Sequence, residues 1–128
     1  RHRDHAVMRD ATLAALDQVA HRPGRTYLFC LARSLMTAFT GLTTLGTPDD
    51  ELTTIVDVAD LLDLRWQAIR THASQVPPFD AMDARLQHEF LAVDRLLRVD
   101  PPWTDQAPES TWIPAAAPSE PPSQKDRS

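Results

Sequence analysis

Read for the spacing of apolar and polar side chains, the chain divides into four stretches of helical period and one stretch with none. The most regular is 47–74. There Leu52, Ile55, Ala59, Leu62, Trp66, Ile69 and Ala73 recur at alternating spacings of three and four. That is an apolar seam of seven-residue period, the mark of a helix packed along one side. The segment opens Thr47-Pro48-Asp49-Asp50-Glu51. Thr47 can accept from the first free N–H groups, Pro48 suits a first turn that needs no N–H, and acids there complement the helix dipole. Pro77 and Pro78 mark its end, because the residue before a proline avoids the helical region.

Three further helices are expected around it. In 6–20, Met8, Thr12, Ala15, Leu16 and Val19 share a side, widened by Leu13 and Ala20, until Arg22-Pro23-Gly24. In 27–45, Thr26 is the expected cap and Gly46 the stop. This segment has a single charge, Arg33, and approaches the length of a bilayer span. Arg33, Thr37, Thr40 and Thr44 nevertheless make a polar stripe, so it is expected to be a core helix and not a membrane helix. In 81–98, Asp80 is the expected cap, and Met82, Leu86, Phe90, Val93 and Leu97 form the apolar face. The link of about two residues between the second and third helices makes them antiparallel neighbours or bends the chain sharply between them. The expectation is therefore an all-α fold: a small antiparallel four-helix bundle over residues 1–99, followed by an extended Pro-rich tail over 100–128.

That tail holds seven of the eleven prolines and no apolar period. Such sequence cannot bury enough surface to fold alone. Its large apolar side chains, Trp103, Trp112 and Ile113, are the expected anchors to a partner, since tryptophan is favoured at interfaces.

Charge narrows the partners. A net charge of −5 over 128 residues argues against nucleic acid and against an anionic membrane surface. The lone cysteine, Cys30, excludes an intramolecular disulfide, and with no signal peptide visible a cytoplasmic location is expected. Arginine outnumbers lysine twelve to one, which suggests a GC-rich, bacterial coding sequence.

No residue set commits the chain to chemistry. His2 and His5, and Asp17 and His21, have spacings that could place two ligands together, but no Glu-x-x-His pair of the di-metal bundle type occurs. Asp49, Asp50 and Glu51 are explained as a helix start. Cys30 has no basic neighbour at helical spacing, Gly-x-Ser-x-Gly is absent, and three glycines cannot build a phosphate loop. No catalytic, cofactor-binding or metal-ligating residue is assigned. The leading expectation is a non-enzymatic interaction, adaptor or accessory subunit. It would bind a protein partner, or itself, through an apolar helix face and the tryptophan-containing tail. One alternative is a small-molecule pocket between the 27–45 and 47–74 helices, lined by Arg33, Thr37 and Trp66. Another is a metal-binding protein or enzyme using the histidines. A cavity of several hundred Å3 favours the pocket, and an exposed apolar strip favours the interaction reading.

Overall fold

Runs of strand-forming residues, and not the heptad seam, decide the middle of the chain. Thr53-Thr54-Ile55-Val56 puts four β-branched residues in succession, side chains that are stiff in a helix and pack well on a pleated sheet. Tyr27 and Phe29 bring aromatic residues at strand spacing, and Val93, Arg95, Leu97 and Val99 alternate along one side of a strand. The computed structural model, which describes residues 3–72, 74 and 76–112, folds accordingly. Its elements are α1 (Arg3–Leu16), β1 (Thr26–Phe29), α2 (Arg33–Thr40), β2 (Thr54–Asp57), α3 (Leu62–Thr71), α4 (Ala84–Leu91) and β3 (Val93–Asp100). Single 3-10 turns lie at Asp49–Glu51, Ala59–Leu61 and Pro78–Ala81. The fold is mixed α/β, so the all-α four-helix bundle is overturned. The expected 27–45 helix divides into β1 and α2. The 47–74 helix becomes a turn, β2 and α3, and the 81–98 helix becomes α4 and β3. Among the described residues no helix is long and apolar enough to cross a membrane.

The strands form one antiparallel sheet in the order β1-β3-β2. β3 closes a long connection and lies between the two earlier strands. Residues opposite one another share a face, so the register sorts the sheet into two sides. Leu28 opposite Leu97, and Ile55 opposite Arg95, lie on one side. Tyr27 opposite Arg98, Phe29 opposite Leu96 and Thr54 opposite Leu96 lie on the other. Leu28 and Leu97 pack on the core of Cys30, Ala32, Leu35, Leu52, Met82 and Leu86, so α2 and α4 cover that side. An aromatic chain extends the core outward: Phe39 to Phe90, Phe90 to Phe79 and Phe79 to Trp66, each edge-on at 6.1–6.5 Å between ring centres. Arg65 fixes α3 against this layer. Its guanidinium donates to both carboxylate oxygens of Asp94 at 2.6 Å and to the Leu91 carbonyl at 2.9 Å.

The helix ends differ from the expected ones. Thr47 caps nothing. Its N–H donates to the Leu31 carbonyl and its carbonyl accepts from Arg33 N–H, a parallel bridge that seats the loop against the start of α2. Asp49 still serves a helix N-terminus, but that of α2, where its carboxylate accepts from the Ser34 N–H at 3.0 Å and from the Ser34 hydroxyl. α4 is capped by Asp83, which accepts from Leu86 N–H at 2.8 Å, and not by Asp80. At the far end of α4 the Arg95 guanidinium donates to the Glu89 carbonyl at 3.0 Å, giving the last turn both a donor and a positive charge.

Gly46 makes the Thr47 bridge possible. Its φ is +84°, and a Cβ there would stand 2.7 Å from the Leu31 carbonyl oxygen. Gly46→Ala is expected to lose about 2 kcal/mol or more, the left-handed backbone alone costing about 1–2 kcal/mol. Gly24, with open space around it, is the control, and Gly24→Ala should change stability by about 0.5 kcal/mol or less. Urea unfolding of the two variants checks the contrast. Equal midpoints would mean the Thr47 bridge is not formed.

Candidate functional site: the sheet rim and the cleft beside Trp66

The segment after β3 returns across the sheet. Glu109 pairs with the outer edge of β2: its N–H donates to the Thr53 carbonyl at 2.9 Å, and its carbonyl accepts from Ile55 N–H at 2.8 Å. This backbone docking carries the Glu109 side chain inward, where only 8% of the residue stays exposed. Its carboxylate accepts from the Thr54 hydroxyl at 2.8 Å, the Tyr27 hydroxyl at 3.1 Å and Arg98 Nη1 at 3.0 Å, with Arg25 Nη1 at 3.5 Å. One carboxylate thus touches β1, β2 and β3. Trp103 holds the start of the segment. The Arg98 guanidinium lies 5.5 Å from its ring centre, and its indole N–H donates to the Ala107 carbonyl at 2.9 Å.

This return covers the β2 edge and leaves the β1 edge open. In the ladder, Cys30 N–H donates to the Arg95 carbonyl. Antiparallel alternation then turns the backbone groups of Tyr27 and Phe29 away from β3. Among the described residues no strand lies there. Phe29 is 66% exposed and Leu31 44%. Among the described residues α1 has no substantial packing against any other element, and its Val7 and Met8 are exposed. Of the apolar face expected over 6–20, Met8, Thr12 and Ala15 are exposed, Leu13 and Leu16 are half-buried, and Val19 and Ala20 lie beyond the end of α1.

The second feature is a cleft of about 510 Å3, walled by Trp66, Ile69, Arg70 and His72 from the end of α3, Pro77 and Asp80 from the following turn, and Gln87 from α4. Of the expected pocket residues, Trp66 lines this cleft. Arg33 and Thr37 lie on α2 and are not part of its wall. Arg33 Nε is buried with no acceptor among the described residues, and the Thr37 hydroxyl donates to the Leu42 carbonyl. Of the expected tail anchors, Trp103 is half-buried against Arg98, Trp112 is 50% exposed, and Ile113 lies outside the described residues. His2 also lies outside them. Asp17 is paired with Arg22 at 2.9 Å, and among the described residues no three His, Cys, Asp or Glu side chains converge as a metal site requires. Sequence spacing missed Glu109, because its partners are 11, 55 and 82 residues away.

Among the described residues two groups, Asp49 and Arg95, have shifted acidities. Hydrogen bonding from the Ser34 hydroxyl, with the Ser34 N–H adding to it, holds the Asp49 carboxyl below the usual aspartate range. Burial lowers the affinity of the Arg95 guanidinium for its proton, against the nearby Asp49, Glu89 and Asp94 charges.

Together these features define, among the described residues, a small mixed α/β unit with an open sheet edge and a polar cleft. No protein-family model, no curated protein and no solved structure matches the chain.

Two measurements check the electrostatics. Glu109→Ala leaves Arg98 without its buried carboxylate and should cost about 3–5 kcal/mol in urea unfolding, with Arg98→Met recovering part of the loss in the double variant. A loss under about 1 kcal/mol would show that the return segment is not docked. Asp49 has a depressed acidity in the fold, so its contribution to stability is present above the unfolded value and is lost as pH falls below about 4. Ser34→Ala should raise the Asp49 pKa toward the ordinary value in a carboxyl NMR titration and flatten the acid limb of the stability curve. An unmoved titration would remove the capping role of Asp49.

Proposed function

We propose that this chain is an interaction unit whose sheet is continued by an extended segment of a protein partner added beside β1. The observation that supports this most is the outward-facing backbone of Tyr27 and Phe29, combined with a Phe29 ring left two-thirds exposed. Edge strands that stand alone are usually blunted by lysine, proline or a covering segment. Glu109 and its neighbours cover β2 in this way. Among the described residues β1 carries none of these devices, apart from the register shift between Thr26 and Tyr27. Unpaired N–H and C=O groups at strand spacing are matched by another strand, and alternate side chains supply specificity. Leu31, next to this stretch and 44% exposed, adds apolar area of the kind that marks interaction surfaces.

The test is selection of peptides of about ten residues, long enough for one strand, from a displayed library. Bound peptides should alternate apolar and polar positions. Phe29→Asp should weaken them by about tenfold or more with an unchanged melting temperature, because the ring is not part of the core. Peptides that bind the variant as well as the parent would contradict the proposal.

A further inference from the structure

We propose that the cleft beside Trp66 binds a short zwitterion, a free amino acid or dipeptide with an apolar side chain. This inference uses none of the β1 residues and stands apart from the edge reading. The cleft of about 510 Å3 lies in the size range of small-molecule sites, typically about 300–1,000 Å3. Its walls carry opposite charges that do not meet. Arg70 comes from α3 and Asp80 from the turn after Pro77, and among the described residues neither forms an ion pair.

Arg70 is also pre-set for its role. Its guanidinium lies over the Trp66 ring, 5.5 Å from the centre. This cation–ring contact holds the guanidinium beside the cleft, and the face contact leaves N–H donors free for a carboxylate. Trp66 is itself held edge-on by Phe79 at 6.1 Å, so the platform is anchored in the core. Opposite it, the Asp80 carboxylate is a fit for an ammonium group. Ile69 and Pro77 supply apolar wall between the two charges. Gln87 donates both its amide hydrogens inward, to the carbonyls of Phe79 and Met82, which holds the Asp80 turn against α4. A plain anion would meet Asp80 and a plain cation would meet Arg70. A ligand carrying both charges satisfies both walls.

Calorimetric titration of the whole chain with leucine and with alanyl-leucine tests this. Each ligand is also used as its N-acetyl and C-amide form. At least one free zwitterion should bind with a Kd below about 1 mM, and each blocked form should be weaker by about tenfold or more. Arg70→Gln should bind the zwitterion weakly and become indifferent to amidation. Asp80→Asn should do the same for acetylation. Both side chains are exposed, so both variants should keep the parent melting temperature. No saturation by either zwitterion at about 10 mM overturns the proposal. So do blocked forms that bind as well as free ones, or variants that bind like the parent.

Discussion

The buried carboxylate of Glu109 is the constraint on which the sheet depends. Thr54, Tyr27 and Arg98 all donate to it, one from each strand. A charge withdrawn from water this far is tolerated only when its hydrogen-bonding capacity is filled and an opposite charge is in contact. Both conditions hold only if β1, β2 and β3 are in register and the return segment is docked. A one-residue slip of any strand would turn its donor to the other face. The carboxylate therefore selects the register as well as contributing to stability.

The same contact decides which edge is free. With the Glu109 backbone paired to Thr53 and Ile55, β2 is covered. Among the described residues β1 is covered only beyond Phe29, where Thr47 pairs with Leu31 and Arg33. Along Tyr27 to Phe29 no described strand lies on the outer edge. Arg65, by gripping Asp94 and the Leu91 carbonyl, places α3 so that its end and the Asp80 turn frame the cleft. Two surfaces of different chemistry thus follow from two buried or half-buried ion pairs.

Much of the local punctuation was legible in the residues, while the pairing was not. Gly46 reads as a stop, and it does interrupt the chain, through a left-handed turn instead of a helix end. The acids at Asp49 read as helix-capping, and Asp49 caps α2, a helix earlier in sequence. Ala59, Leu62, Trp66 and Ile69 keep helical spacing and fall in or beside α3. Leu52 and Ile55 extended that seam by coincidence, and the β-branched run Thr53-Thr54-Ile55-Val56 was the contrary signal that a seven-residue count overrides. β3 was hidden because Leu86, Phe90, Val93 and Leu97 keep a helical spacing across the α4–β3 junction. Trp66 lines a cleft, but one between α3, the Pro77 turn and α4, and not the pocket expected between residues 27–45 and 47–74. Glu109 was not recognisable at all: it stands in Pro-rich acidic sequence without a period, and only long-range folding gives it partners.

Amide hydrogen exchange of the free protein tests the account most directly, because it reads both the sheet order and the open edge. The N–H groups of Cys30, Ile55 and Glu109, each donated to a carbonyl across the sheet, should be protected to near the global unfolding free energy. Those of Tyr27 and Phe29, which face outward, should exchange by local opening and much faster. Slow exchange at Tyr27 and Phe29, or fast exchange at Ile55 and Glu109, would contradict the arrangement of covered and open edges.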